Sequence, residues 1–277
     1  MRFHTCLLLI VGLLVGISAT AVAGPISFST GPPNGLVGTG SRPGGGGVLE
    51  IESADDFTLG SDALIDHATF YGLLPTGAIA AVINQVRVEI YRIFPLDSST
   101  PPSGNVPTRN NSPSDNVLLE RDSALADLTF SASLVSPDFT VANSVLNGIF
   151  PKPNQTTLGE GPVTGAEFLF DVTFPTPLSL PAGHFFFVPQ VGLNSGNFLW
   201  LSAPKIIPPP ADLQSWIRNE NLAPDWLRIG TDVIGSGTFN AAFSLSGTAV
   251  PEPATMATIG AGLLLLGGMG RKAARHR

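Results

Sequence analysis

The chain is poor in cysteine and in charged residues. Its 277 residues include one cysteine, Cys6, and charged residues make up 13% of the total, against about 25% in an average soluble domain. Cys6 lies within an apolar N-terminal segment, so a chain that loses this segment has no thiol and forms no disulfide. The sequence therefore excludes a disulfide framework and cysteine-based catalysis in the rest of the protein.

Motifs that carry catalytic or metal chemistry are also missing. Of the 4 histidines, only His67 and His184 lie away from the chain ends, and two histidines without cysteine are too few for an ordinary zinc site. The chain has no His-Glu-x-x-His, Gly-x-Ser-x-Gly or Walker motif, and no Gly-x-Gly-x-x-Gly after a strand. Gly44–Gly47 is followed by valine, which argues against a phosphate loop. We expect structural histidines, no enzymatic activity and no cofactor.

Basic residues are scarce outside the chain ends. The formal net charge is −7, from 14 basic and 21 acidic residues. Arg2 and the four Lys and Arg residues of 271–277 account for five of the 14, which leaves 9 basic against 21 acidic residues, or −12, for the rest. Nucleic-acid phosphates need Lys and Arg for neutralisation, so we expect no nucleic-acid partner and interpret the acidic surface as a source of solubility.

The first 23 residues have the pattern of a secretory signal peptide. Arg2 supplies the positive start, and an apolar run follows over residues 7–17. Ala21 and Ala23 then provide the small side chains that signal peptidase accepts, which predicts cleavage before Gly24. A buried helix or a retained anchor is the alternative, but the prolines and glycines that follow argue against a core helix. The protein is therefore expected to be exported.

The C-terminus consists of three consecutive parts. Pro251, Glu252 and Pro253 precede an uncharged apolar stretch over 254–270, and a basic tail follows over 271–277. A helix over 254–270 would be about 25 Å long, slightly less than the hydrocarbon core of a bilayer. The positive-inside rule would keep the basic tail in the cytoplasm. The signal peptide and this tail therefore both predict that the body of the chain lies on the outer side of the inner membrane.

This combination over residues 250–277 resembles the sorting signal of the PEP-CTERM family of exosortase substrates. The resemblance implies that an exosortase, a membrane protease, recognises Pro251, Glu252 and Pro253 and cleaves nearby. The body would be anchored transiently in the inner membrane and then released or transferred to the cell envelope. Exosortase systems resemble accessory systems of exopolysaccharide production. This resemblance implies an extracellular polysaccharide as a partner of the protein. An ordinary C-terminal anchor is the alternative.

Between the ends, apolar residues recur with the period of two that is typical of β-strands. Two sets are predicted to lie on one face of a strand each: Phe168, Phe170, Val172 and Phe174, and Phe239, Ala241, Phe243 and Leu245. Residues 185–188 are apolar at every position, which indicates a central strand. The alternation over 86–90 changes phase at Tyr91 and Ile93, which indicates either a bulge or the end of a strand.

Glycine and proline, 31 and 25 residues, separate these runs. Residues 24–47 are interpreted as an irregular lead-in, and 95–116 and 151–165 as long exposed loops. We predict an all-β fold, an antiparallel β-sandwich of jelly-roll type, over residues 48–248. Three segments, 54–59, 88–92 and 242–247, also look like a body type common among PEP-CTERM proteins, a likeness that implies the sandwich and no catalytic residues.

Carboxylates and tryptophans are the remaining candidate binding groups. Asp55, Asp56, Asp62 and Asp66 are close in sequence, and calcium takes several carboxylate oxygens; solvated surface is the alternative interpretation. Neighbouring residues of a regular strand face opposite ways, so Asp55 and Asp56 would not share one site in a strand, whereas a loop would allow it. The tryptophans also allow two interpretations, as core residues or as binding groups. Trp200 is predicted to be core, whereas Trp216 and Trp226 are either core residues or exposed rings that stack on sugars.

Two functions follow from these observations. The first is an exported, non-enzymatic surface or extracellular-matrix protein that associates with exopolysaccharide. The second is a secreted carbohydrate-active hydrolase with a β-sandwich body, for which a pair of carboxylates would be required. The absence of a nucleophile and base pattern favours the first.

Overall fold

Alternating apolar residues give the chain an all-β architecture. The computed structural model describes residues 23–98, 104–150, 156–205, 212–235 and 237–251. Within these ranges the strands are β1 (Pro25–Ser29), β2 (Val37–Gly40), β3 (Ile51–Leu59), β4 (Ala63–Leu74), β5 (Ile83–Ile93), β6 (Pro113–Asp122), β7 (Thr129–Val141), β8 (Asn143–Val145), β9 (Val163–Leu180), β10 (Gly183–Leu193), β11 (Leu199–Ala203), β12 (Trp216–Asn219), β13 (Leu227–Arg228), β14 (Asn240–Ala241) and β15 (Phe243–Ala249). Short helical turns lie at Ala80–Val82, Ser123–Leu125 and Ile229–Ile234.

The strands form two sheets, as the prediction of an antiparallel sandwich requires. One sheet has nine strands in the order β1-β15-β4-β11-β2-β8, and β14 adds to β11, β9 to β4 and β7 to β9. The other has six strands in the order β13-β12-β3-β10-β5-β6. Among the strand pairs whose register the structure describes, pairing is antiparallel except between β2 and β8, which run parallel.

The main core is formed by residues of both sheets. Phe168, Phe170, Val172 and Phe174 all lie in it, which confirms the predicted one-faced strand. Phe170 stacks on Phe70 of the neighbouring strand with 4.8 Å between the ring centroids. Burial of such aromatic area is the main source of stability in a chain without disulfides. The second predicted set is confirmed in part: Ala241, Phe243 and Leu245 belong to this core, whereas Phe239 packs in a separate cluster.

Strand β10 is buried on both faces because one apolar cluster packs against each face of the six-stranded sheet at this strand. Phe185 and Phe187 point into the main core, whereas Phe186 and Val188 belong to a cluster that includes Trp216 and Trp226. The continuous apolar run at 185–188 is thereby explained. The predicted bulge is also confirmed, because the register between β5 and β6 shifts at Tyr91.

Residues 24–47, predicted to be an irregular lead-in, instead contain two strands. β1 pairs with β15, and β2 lies between β11 and β8. All four residues of β2 are buried. A Cβ atom at Gly40 would lie 2.7 Å from Leu146 Cδ1, so this glycine is closely packed against a neighbouring side chain and does not mark flexibility. The glycine-rich composition of residues 24–47 therefore reflects a need for small residues in a packed segment, and its interpretation as irregular structure is wrong for β1 and β2.

The sandwich consequently begins earlier than the predicted residue 48. One compact unit extends over Pro25–Thr248, and its first and last residues are partners in the pairing of β1 with β15. Every described apolar residue that is buried lies between Val37 and Leu245, so this unit has its own core. The second unit comprises Met1–Gly24 and Ala249–Arg277; in its described part the N–H of Ala249 donates to the carbonyl oxygen of Gly24 at 2.8 Å.

The two predicted loops are shorter than expected. β6 already begins at Pro113 and β9 at Val163. Arg109, in the first loop, is 2% exposed because its guanidinium pairs with Asp225 and Asp115 at 3.1 and 2.9 Å.

The predicted membrane helix at 254–270, the basic tail at 271–277 and residues 1–22 of the signal peptide lie outside the described residues. Within the described ranges, no helix combines the length and the apolar character needed to cross a bilayer.

Candidate functional site

The glycine run of the N-terminal segment forms the tip of a hairpin that borders a cleft. Arg42 and Ile51 exchange backbone hydrogen bonds of 2.8 and 3.0 Å at its base, and Gly45 and Val48 exchange two of 3.0 Å near its tip. Gly45, Gly46 and Gly47 have φ angles of 128°, 60° and 84°. Three consecutive residues in this region are accessible only to glycine without strain. The run therefore serves a defined turn.

The cleft beside this hairpin has a volume of about 690 Å³. Its polar lining consists of one arginine and four amide side chains: Arg42, Asn84, Gln85, Asn147 and Asn197. Its apolar lining includes Val48 and Leu49 of the hairpin together with Leu193 and Phe198. The described lining contains no carboxylate, histidine or hydroxyl side chain. The cleft thus offers hydrogen bonds and apolar contact, and its lining has no acid, base or nucleophile.

Three of the four amides are held by the protein through their nitrogen atoms. The acceptors are Asn194 Oδ1 for Asn84 at 3.0 Å, Asp122 Oδ2 for Gln85 at 2.6 Å and Glu160 Oε2 for Asn147 at 3.0 Å. Among the described residues, their amide oxygens have no donor. Each side chain is thereby oriented, and it presents an acceptor that a ligand can use.

The fourth amide pairs with the arginine. Arg42 Nη1 donates to Asn197 Oδ1, and Arg42 Nε donates to the carbonyl oxygen of Leu49 at 3.2 Å. Within the described part of the chain, Arg42 Nη2 and Asn197 Nδ2 have no acceptor. The cleft consequently combines oriented acceptors with oriented donors, the mixture that the hydroxyl groups of a sugar can match.

The loop that carries Asn147 is anchored by Glu160. Its Oε1 accepts hydrogen bonds from the backbone nitrogens of Leu146 and Gly148 at 2.8 and 3.0 Å, and Asn147 N also contacts it. Burial opposes ionisation of this carboxyl, but the backbone donors outweigh burial and lower the pKa of Glu160. A charged anchor of this kind fixes the position of Asn147 at the rim of the cleft.

A second polar cluster lies buried on β3, β5 and β12, away from the cleft lining. The Tyr91 hydroxyl donates to Glu52 Oε1 at 2.6 Å, accepts from Arg218 Nη2 at 2.9 Å and lies 3.1 Å from Glu89 Oε2. Arg218 also binds Glu52 directly, at 3.0 Å from Nη2 to Oε1, and its guanidinium lies 4.3 Å from the centroid of the Trp226 ring. We call Glu52, Glu89, Tyr91 and Arg218 the buried glutamate cluster.

Burial and the neighbouring charges of Glu52 and Glu50 raise the pKa of Glu89 to about 9. At neutral pH Glu89 is therefore protonated. Tyr91 has a single hydroxyl hydrogen, which it gives to Glu52, so the proton on Glu89 completes the remaining contact by donation to Tyr91 Oη. Glu52 and Glu89 are a carboxylate pair, but their side chains are only 7% and 6% exposed, and neither lines the cleft.

The four aspartates considered as calcium ligands are not brought together. Asp55 and Asp56 are buried, contrary to the interpretation as solvated surface, whereas Asp62 and Asp66 are exposed. The described residues contain no group of three or more His, Cys, Asp and Glu side chains suited to a metal ion. This aspartate run therefore does not form the calcium site considered from the sequence.

Asp55 and Asp56 face opposite ways, as predicted for neighbours in a strand. Asp55 accepts from Ser215 Oγ at 2.9 Å and from Ala241 N at 2.8 Å; burial, and then the charge of Asp56, raises the pKa of Asp55. Asp56 instead accepts from Leu213 N at 2.9 Å and contacts His184 Nε2. These contacts connect β3 to distant parts of the chain, and such partners are invisible in the local sequence.

The tryptophans and His67, also considered from the sequence as candidate binding groups, are packed against or close to other protein side chains. Trp200, Trp216 and Trp226 are each exposed by no more than 1%, so the core interpretation is confirmed and stacking on sugars is wrong for Trp216 and Trp226. His67 Nε2 lies 3.7 Å from Asp171 Oδ1 on the neighbouring strand.

Among the processing residues, Ala23, Gly24 and Pro251 are described, and Ala23 and Pro251 are exposed. Ala21, Glu252 and Pro253 lie outside the described residues.

Comparison of the chain with protein-family models finds no matching family, and comparison with curated proteins finds no matching relative. The assignment of a function consequently depends on the residues themselves. Sequence reasoning missed the cleft, because Asn84 comes from β5 and Asn147 and Asn197 come from two separate loops, and no local pattern distinguishes them. The one usable signal was the run Gly44–Gly47 beside Arg42.

Proposed function

We propose that this chain is an exported, non-enzymatic surface or extracellular-matrix protein whose jelly-roll-like body binds polysaccharide in the cleft beside the glycine hairpin. The observation that carries the proposal is the lining of that cleft. Oriented amide oxygens, a free amide nitrogen and an arginine alternate there with apolar side chains. Sugars present hydroxyl groups at the ring edge and C–H groups on the ring face, so both kinds of lining find a partner.

The proposed route to the surface uses both chain ends. Signal peptidase removes residues 1–23, the apolar stretch 254–270 holds the protein in the inner membrane, and an exosortase acts at 251–253. The close approach of Gly24 and Ala249 supports this route in one respect. The predicted signal-peptidase cut immediately precedes Gly24, and the motif at 251–253 begins two residues after Ala249, so both lie outside β1 and β15.

The alternative of a secreted hydrolase requires two carboxylates that flank a bound sugar. The described lining of the cleft offers none, and the carboxylates of the buried glutamate cluster are engaged with Tyr91 and Arg218. We therefore favour binding without turnover.

The test uses the body, residues 24–250, on an array of acidic and neutral polysaccharides, with an assay for released reducing ends on the same panel. Asn147→Ala removes one cleft acceptor and should weaken binding roughly fivefold, the effect of about 1 kcal/mol for one hydrogen bond. Asn116→Ala is the matched control, because Asn116 is also exposed and also donates through its nitrogen, to the Asp97 carbonyl, but lies outside the cleft.

Three results would contradict the proposal. Absence of binding to every polysaccharide would remove the assigned ligand class. Equal losses in both asparagine variants would place binding elsewhere. Release of reducing ends that a single Asp or Glu substitution abolishes in a folded variant would favour the hydrolase.

A further inference from the structure

Arg42 differs from most cations of the body because it has no carboxylate partner. Six described basic residues lie within 4.0 Å of a carboxylate: Arg87, Arg92, Arg109, Lys205, Arg218 and Arg228. Among the described Lys and Arg residues, only Arg42 and Arg121 have no such neighbour. Arg121 lies outside the described lining of the cleft, whereas Arg42 is part of it.

The guanidinium of Arg42 is half-buried, and its protein contacts are neutral. Nε and Nη1 donate to the Leu49 carbonyl and to Asn197 Oδ1, so the orientation of the planar group is fixed. Burial lowers the pKa of Arg42, the direction expected for a cation that loses water and gains no anion. The cost of this desolvation would be offset by an anionic group that approaches from the cleft.

We infer that the cleft selects acidic polysaccharides and that a uronate carboxylate of the polymer binds the guanidinium of Arg42. The inference rests on the proposed function and narrows its ligand class. A carboxylate matches the planar fork of arginine, and a charge-assisted hydrogen bond is about twice as strong as a neutral one. The amides of Asn84, Asn147 and Asn197 would then bind the neutral hydroxyls on either side.

Attraction by the overall charge cannot produce this selectivity. Outside the chain ends the protein has 9 basic and 21 acidic residues, so its long-range field repels a polyanion. A preference for an acidic polymer would therefore have to come from local contact. Arg42 is the only charged residue in the described lining that could provide it.

The experiment compares two forms of one polymer, polygalacturonate and its methyl ester, which share a backbone and differ in charge. Binding to the body, residues 24–250, is measured at constant pH and 0.1 M salt. We expect the acid form to bind at least about tenfold more tightly than the ester, in line with a charge-assisted contact. Arg42→Gln should abolish this preference, so that the variant binds the acid form no more tightly than the ester, and Arg42→Lys should retain part of the preference.

Arg121→Gln is the matched control, because it removes the same charge from the other described arginine without a carboxylate partner. It should leave the tenfold preference intact. An equal loss in Arg121→Gln and Arg42→Gln would overturn the inference in favour of bulk charge. Equal binding of acid and ester by the parent protein would overturn the inference and leave the proposed function standing. Absence of binding to acidic and neutral polymers alike would remove both. If Arg42→Gln does not fold, the comparison of the acid with the ester on the parent protein and on Arg42→Lys still tests whether Arg42 produces the preference for the acid form.

Discussion

Replacement of Glu89 by glutamine should make the stability of the body less dependent on pH. Glutamine has the shape of a protonated glutamate and can donate to Tyr91 Oη as the protonated acid does. It therefore retains the contact at 3.1 Å but cannot ionise. At pH 5.5, one unit above the ordinary pKa of 4.5, the unfolded parent has already released this proton, so the parent should be less stable than the variant by about 1.4 kcal/mol.

The two proteins should diverge as the pH rises. The pKa of Glu89 is about 9 in the folded chain against an ordinary value of 4.5. Between these values the folded protein keeps a proton that the unfolded chain has released. The resulting stabilisation is fully present below pH 4.5 and is lost as the pH rises towards 9. One such proton corresponds to about 1.4 kcal/mol per pH unit, so from pH 5.5 to 8.0 the parent should lose about 3 kcal/mol more than Glu89→Gln.

Urea unfolding at pH 5.5, 6.5, 7.5 and 8.0 at fixed ionic strength measures this difference. The pKa of Asp55 and that of Glu50 are also raised by burial, so the parent and the variant both lose stability through those groups. The difference between the two proteins isolates Glu89. Glu120→Gln is the matched control, because Glu120 is the pairing partner of Glu89 on β6 but its side chain is 42% exposed.

Parallel stability curves for Glu89→Gln and the parent over this pH range would refute the reasoning, since they would mean that Glu89 is ionised in the native protein. A divergence equally large in Glu120→Gln would show that surface charge and not the buried carboxyl is responsible. A variant that is several kcal/mol less stable already at pH 5.5 would show that glutamine does not replace the protonated acid.

Three further results are expected. Arg109→Met should lower the free energy of unfolding by about 3–5 kcal/mol in a urea titration, because it removes the buried guanidinium that pairs with Asp225 and Asp115; a loss below 1 kcal/mol would contradict this assignment. N-terminal sequencing of the exported protein should begin at Gly24, and a start at Met1 would show that the leader is retained. Replacement of all three residues of 251–253 by alanine should leave export intact and block release. The measurement is the fraction of full-length protein that stays in the membrane of a host with an exosortase. If the variant and the parent are processed equally, the motif is incidental.

Local periodicity was sufficient to predict much of the strand structure. The alternation of Phe168, Phe170 and Val172 needs only the geometry of an extended chain, so these residues share a face in any sheet. The same holds for the doubly apolar run at 185–188 and for the change of phase at Tyr91. Hydrophobic residues at fixed spacing carry this information because they must be buried somewhere.

Polar residues were placed less well, since their burial depends on partners from elsewhere in the chain. Asp55 is buried because Ser215 and Ala241, 160 and 186 residues away, donate to it. The glycine-rich N-terminal segment was misjudged for a related reason. Glycine signals both flexibility and close packing, and only the neighbours of β2 decide between the two.

The sequence by itself determined an all-β body from the spacing of apolar side chains, since period and polarity are local properties. Only the tertiary structure decided which polar groups meet. Arg42 and Asn197 are 155 residues apart and form one wall of the cleft, and Glu52 reaches Arg218 across 166 residues. Such encounters depend on strand order and register, which arise from the pairing of distant segments and leave no trace in the residues around either partner.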